Sequence, residues 1–348
     1  MIEVLEEHFD LIKVVVDLGE TKIEAVGYPR MLGPIGKDSQ VVVNTTGVEL
    51  DLGTGGLGFI LWSDNNNVTS ETAGHIVKMR YTPWQMNVSA AEAPESSDHQ
   101  RLKDVVSIGG VPVVACSLHS QLAGIVAGVK AAKPEARIGY LMTDGAALPL
   151  PLSDLVRSLK AAELLDATCT AGHAFGGEFE SVNVFSGLAV LKHAAEVDVI
   201  VTGMGPGVVG TETRLGHTAL EQGQLLDATT ALGGRAIAAL RIGFDDPRPR
   251  HEGVSHHTIT ALTIAARERA IVVLPVLPKD QMTLVREQLS TSGIDERHEV
   301  VEADGAPGLA LLTERDLDPS SMGRPMSQAP ELFLAAAAAG SIAAGLAG

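Results

Sequence analysis

The residues best suited to chemistry are histidines, arginines, serines and a few carboxylates placed just after apolar runs. Ser117-Leu118-His119-Ser120-Gln121 follows Val111–Cys116, and Thr143-Asp144-Gly145 ends the run Arg137–Thr143. Gly172-His173-Ala174-Phe175-Gly176-Gly177-Glu178 follows Ala167–Ala171. Met204-Gly205-Pro206-Gly207 follows Asp198–Gly203 and leads to Thr211-Glu212-Thr213-Arg214. Arg241 lies near the end of Ala236–Ile242, ahead of Asp245-Asp246-Pro247-Arg248-Pro249-Arg250-His251 and Ser255-His256-His257-Thr258.

Histidine titrates near neutral pH, so His119 and His173, with Asp144, are the candidates for proton transfer. The planar fork of arginine suits carboxylate and phosphate, which assigns Arg214, Arg241, Arg248 and Arg250 to an anionic ligand. Ser117, Ser120, Glu178, Thr211, His256 and His257 complete the candidate binding set. Gly205-Pro206-Gly207-Val208-Val209-Gly210 fits G-x-G-x-x-G after a strand, where backbone amides at a helix start attract anions. A dinucleotide fingerprint would open the domain and place an acidic residue at the end of the next strand. Arg241 stands there instead, so a small anion is expected on Gly205, Gly207 and Gly210, and a dinucleotide is not.

His251, His256 and His257, with His119 and His173, could supply ligands to a divalent metal, and Asp144 or Glu178 could add an oxygen. No H-E-x-x-H spacing marks such a site, and adjacent His256 and His257 would point differently on a helix, leaving one of them structural. Ser117 or Ser120 beside a histidine, oriented by Asp144, would make a nucleophile. The G-x-S-x-G elbow of the α/β hydrolases is absent.

The elements that must hold these residues alternate from about residue 104 onwards. Apolar runs at 111–116, 137–143, 167–171, 198–203 and 236–242 are separated by helical patterns, such as 153–162 with Ser153 as N-cap and 218–232 stopped by Gly233-Gly234. Helix 258–269, strand 271–275, helix 281–289 and strand 299–302 follow. Strands that do not alternate in polarity predict a mostly parallel sheet with helices on both faces. Such a sheet gathers ligands at the carboxyl ends of its strands.

Residues 1–90 read differently. Runs at 11–16, 22–26, 40–43 and 57–62 are separated by turn clusters, including Gly53-Thr54-Gly55-Gly56, and predict a small β-rich, barrel-like domain. Polar 91–103 reads as a linker, leaving 104–348 as the α/β domain. The polar run Asn44–Leu50 reads as turn chemistry.

The 348 residues carry a net charge of −17 and 45% hydrophobic residues, of which few are aromatic. So acidic a surface repels phosphate backbones and anionic lipid, which excludes nucleic acid and membranes as general partners. Two cysteines, Cys116 and Cys169, sit in apolar runs and read as buried thiols of a cytoplasmic protein. The sequons at Asn44, Asn67 and Asn87 then carry no glycan. The tail 332–348 is rich in alanine and glycine and short of the roughly 20 strongly apolar residues of a membrane span. It predicts a helix packed closely on its own protein or on a twin subunit, and a homodimer is the simplest assembly.

The strings NTTGVELDLGTGG, GHIVKMRYTPWQ, LHSQ, MTDGAALPL, GHAFGGEFESVNV, GPGVVGTETRLGHT and DPRPRHEGVSHHT occur in this order. Together they resemble an uncharacterised bacterial family known only as a domain of unknown function. The resemblance spans nearly the whole chain and implies no activity, cofactor or catalytic residue. The residues themselves point to a hydrolase- or transferase-type enzyme for a small anionic metabolite. A non-catalytic ligand sensor and a metal-dependent hydrolase are the alternatives.

Overall fold

The computed structural model describes residues 2–51, 55–65, 74–246 and 248–348. Gly53 and Thr54 of the predicted turn, the Asn67 sequon and Pro247 lie outside them. The chain divides into two compact units, Met1–Val88 and Ser89–Gly348.

The first unit is built on an open five-stranded mixed sheet in the order β1-β2-β3-β5-β4, with β1 Ile2–His8, β2 Leu11–Asp17, β3 Lys22–Gly27, β4 Val41–Asn44 and β5 Gly58–Ser63. β3 and β5 run parallel, and β1 and β4 form the two edges, unpaired with each other among the described residues. The predicted closure into a barrel is therefore not observed. A short hairpin of β6 Ile76–Lys78 and β7 Met86–Val88 completes the unit. Turn chemistry explains the polar run, since the Asn44 side chain accepts from the Thr46 amide at 2.9 Å, just ahead of a single helical turn at Thr46–Glu49.

The second unit carries an eight-stranded, all-parallel sheet. Its strands are β8 Pro112–Ala115, β9 Ile138–Thr143, β10 Ala167–Thr170, β11 Phe179–Glu180, β12 Val199–Met204, β13 Arg235–Ala239, β16 Ile271–Pro275 and β17 Glu299–Ala303. Two residue pairs, β14 Ile242–Gly243 and β15 Gly253–Val254, form a small antiparallel ladder beyond β13. The sheet order is β11-β10-β9-β12-β8-β13-β16-β17. The chain thus starts in the middle, moves to one edge, returns to insert β12 beside β8, and continues to the other edge.

Right-handed crossovers then force the helices onto opposite faces for the two directions of travel. On one face, Val114, Ile138, Tyr140, Met142, Val199 and Val201 pack under the Gln121–Ala132 and Asp154–Ala161 helices. Alternate strand residues, among them Val113, Leu141, Ile200, Ala236, Ala238 and Val272, face the other way. They meet the Val184–His193, Glu221–Ala231 and Lys279–Thr291 helices. Both faces are dry, which is why the strands read as unbroken apolar runs.

The Pro330–Leu346 helix settles the question of the alanine-rich tail. It packs on the Gln121–Ala132 helix of its own chain, where a Cβ on Gly128 would collide with the Ala337 backbone and one on Gly340 with that of Ile125. Small residues let two backbones meet, and that surface is not offered to a twin subunit. Among the described residues, no helix is long and apolar enough to cross a membrane. The segment expected as a linker lies on the β11 edge, with Ala90, Ala91 and Ala93 buried and the Ala91 amide bonded to the Glu180 carbonyl at 2.8 Å. Cys116 and Cys169 are both buried thiols outside any disulfide, and burial pushes Cys116 up to about 12.

Candidate functional site

The switch in chain direction puts the ends of β9, β12, β8 and β13 side by side, with their following helices on opposite faces. A ligand crevice is expected there. Two connections build most of it. After β12 the chain forms a hairpin rather than a helix, with Thr211 N–H bonded to the Gly216 carbonyl, Thr218 N–H to that of Val209, and Gly210 bridged to His217. After β13 the β14–β15 ladder closes the loop carrying Asp246, Arg248, Arg250 and His251, and Ser255 then caps the helix that begins at His256.

These connections bring four imidazoles together. The His217 and His257 rings stack at 4.1 Å between centroids, His256 lies 4.3 Å from His257, and His251 lies 5.1 Å from both His256 and His257. One ligand atom from each of His217, His256 and His257 lies within 4.8 Å of the others. His217 and His257 are buried and His256 is half-buried. This cluster is able to coordinate a divalent metal ion.

Its hydrogen bonding is incomplete. Among the described residues, neither ring nitrogen of His217, nor Nε2 of His256, has a hydrogen bond of ordinary geometry, although all three atoms are out of solvent and the Arg214 backbone partly offsets the burial of His217. Each such orphan costs about 1–3 kcal/mol, and native proteins seldom tolerate several in one place without a ligand. Burial lowers the pKa of all four rings, bringing His251 to about 3 and His257 to about 2. Neighbouring rings add to this at His256 and His257, and Arg241 contributes at all four. The rings are therefore neutral at physiological pH, the form in which imidazole binds a metal.

Arg241 sits beside them, with 8% of its surface exposed. Its side chain reaches His257 Nδ1 at 3.2 Å and Met322 Sδ at 3.5 Å, with no carboxylate in contact among the described residues. A guanidinium only donates, so it holds Nδ1 of His257 unprotonated and leaves the ring proton on Nε2. Burial and the charge of Arg248 lower the Arg241 pKa to about 10. The neighbouring cations do touch carboxylates. Arg248 grips Asp246 through Nε and a terminal nitrogen, both at 2.8 Å, Arg324 lies 3.6 Å from the same carboxylate, and Arg250 pairs with Glu212 at 2.9 Å. Arg248, by hydrogen bonding, holds the Asp246 carboxyl well below its usual range.

The remaining sequence candidates fall elsewhere. His119 Nε2 lies 2.6 Å from Ser153 Oγ and Nδ1 lies 3.1 Å from Tyr140 Oη, which itself donates to the Gly203 and Met204 carbonyls. This chain of donors places the His119 proton on Nδ1 and occupies both nitrogens. Burial lowers its pKa to about 4. Asp144 accepts from the His173 amide at 2.9 Å, so these two meet through the backbone. Glu178 binds the Thr168 amide and hydroxyl and the Lys160 ammonium. Ser117 is buried on Gln121, while Ser120 donates to Ser321 at 2.9 Å. Thr211 serves its own hairpin, and Arg214 is exposed. Gly205 is a packing residue, since a Cβ there would lie 2.6 Å from the Ala147 carbonyl, and Gly207 adopts φ +105°. With a hairpin after these glycines, no dinucleotide-binding motif is present.

Of the predicted metal ligands, His256 and His257 share the cluster and His251 adjoins it. His119, His173, Asp144 and Glu178 are not in it. Both adjacent histidines offer a ligand atom to the cluster, from the first turn of their helix. His217 was not among the candidates. It closes the same hairpin that Gly205–Arg214 opens, and that continuity was the available clue.

An α/β protein whose larger unit has an all-parallel, doubly wound sheet with a histidine cluster at its strand ends is the class that fold and site define. The family model described as "Protein of unknown function (DUF3866)" matches residues 24–340, and the chain belongs to that family. No curated protein and no solved structure matches it.

Proposed function

We propose that this protein is a divalent-metal-dependent enzyme of hydrolase type acting on a small anionic substrate. His217, His256 and His257 hold the cation, and Arg241 receives the negative charge of the substrate. The observation that carries this reading is the convergence of three neutral imidazoles, two of which, His217 and His256, keep buried ring nitrogens without a hydrogen bond of ordinary geometry. Imidazole donors suit zinc and its first-row neighbours rather than magnesium or calcium. Nitrogens of a tetrahedral zinc site lie roughly 3.4 Å apart, so the present spread requires a rotamer adjustment of about an ångström on loading. Three protein ligands leave a fourth position open, where a cation lowers the pKa of water and polarises a carbonyl or phosphoryl group.

His257 can bind a cation through Nδ1 only if Arg241 moves away, and through Nε2 only if that nitrogen gives up its proton. Loading therefore frees Arg241 or releases a proton. Zinc-, cobalt- and manganese-loaded protein screened against carboxylic esters, amides and phosphate esters tests the assignment. Hydrolysis that disappears with chelator and with His217→Ala is expected. Metal-bound protein inert towards every class would remove the hydrolytic reading.

A further inference from the structure

Beside the histidine cluster lies a cleft lined by residues from the strand-end loops and the carboxy-terminal segment. Asp246 in its wall is shared between Arg248 at 2.8 Å and Arg324 at 3.6 Å. Two other lining groups are not matched. Arg241 is a nearly buried cation whose acceptors are an imidazole nitrogen and a thioether sulfur. Such a charge is costly unless it meets an anion. Glu331 has one oxygen bonded to Gln281 at 3.0 Å, while its Oε2 is out of solvent with no partner. An orphan carboxylate oxygen calls for a donor. Between them, Leu118, Phe244 and Leu332 supply an apolar wall.

We infer that this cleft binds a small carboxylic acid that also carries an ammonium or hydroxyl donor, with a short aliphatic body. Its carboxylate meets Arg241, its donor meets Glu331 Oε2, and its body lies along Leu118, Phe244 and Leu332. The inference names a product class for the enzyme proposed above, the acid left when water cleaves an ester or amide bond, and rests on that reading for turnover, while the binding itself requires no metal. Engaging Arg241 with a carboxylate also draws it from His257 Nδ1, so ligand and cation reinforce one another.

Calorimetric titration of chelator-treated protein isolates the cleft from the metal site. The probes are L-leucine, its α-hydroxy analogue, the acid unsubstituted at the α carbon, and L-leucinamide. Either leucine or the hydroxy acid should bind at least about tenfold more tightly than the unsubstituted acid, the loss expected for one charge-assisted hydrogen bond. Leucine and the hydroxy acid differ only in the donor, so their order identifies ammonium or hydroxyl. Leucinamide, without the carboxylate, should not bind. Arg241→Met should abolish binding of the three acids, and Glu331→Gln should erase the advantage over the unsubstituted acid, with melting temperatures confirming that both variants fold. Equal affinity for the substituted and unsubstituted acids, unaltered binding by Arg241→Met, or no binding at millimolar concentration would each overturn the inference. Metal uptake with no probe binding removes the cleft assignment alone, and probe binding with no metal uptake removes the metal reading alone.

Discussion

Two groups of histidines follow strands of the same sheet, and they differ in what their nitrogens touch. His119 is saturated, with Ser153 on one side and Tyr140 on the other. Glu178, near His173, is likewise consumed by Thr168 and Lys160. His217 and His256 instead keep buried ring nitrogens without partners, beside a guanidinium without a carboxylate. Residue type is the same in both regions. Satisfied polar groups hold the scaffold, and unsatisfied ones in a buried place mark where something else binds.

The sharpest way to break this contrast is to delete one histidine from each group. His217→Ala should weaken zinc binding by about a hundredfold or more, because a three-ligand site loses a third of its donors. His119→Gln should leave zinc affinity unchanged in the same competition assay. Equal losses in both variants would erase the distinction. On stability the order reverses. His119→Gln should lower the unfolding free energy by about 1–3 kcal/mol through broken buried hydrogen bonds, read by denaturant titration. His217→Ala should cost less in the metal-free protein, since its ring nitrogens make no hydrogen bond of ordinary geometry.

Arg241→Met should tighten zinc binding by about five- to tenfold, a smaller effect. It removes a cation from the site and frees Nδ1 of His257. Weaker zinc binding in this variant would show that Arg241 supports the centre rather than competing with the ion. The pH response is smaller again. His119 titrates at about 4 in the folded chain, below its ordinary value, so the unfolded chain takes up more protons between the two. Its contribution is complete above about pH 6.5 and is lost as pH falls towards 4. The melting temperature of the native protein should therefore drop more steeply on acidification than that of His119→Gln.

The sheet was readable because burial on both faces turned its strands into apolar runs, and the sites of β8, β9, β10, β12, β13, β16 and β17 were placed within a few residues. β11 escaped notice because it is only Phe179–Glu180 at an edge. β1 escaped because a bulge between Val4 and Glu6 breaks the alternation of an exposed strand. The rim was legible as a place, and Arg241, His256 and His257 were named on it. Its contents were not, because the cluster joins His217 to residues about forty positions away through two tight antiparallel turns. No local spacing encodes that meeting. His119, strong by type and position, proved to be held by Ser153, a helix cap that the sequence did reveal.

Cobalt titration of chelator-treated protein, followed by visible absorption, tests the metal centre most directly. The account predicts one equivalent per chain, with the intense bands of a low-symmetry nitrogen-ligated ion, lost in His217→Ala and in His256→Ala but kept in His119→Gln. Protein that takes up no cobalt, or binds it equally well without His217 and His256, would contradict it.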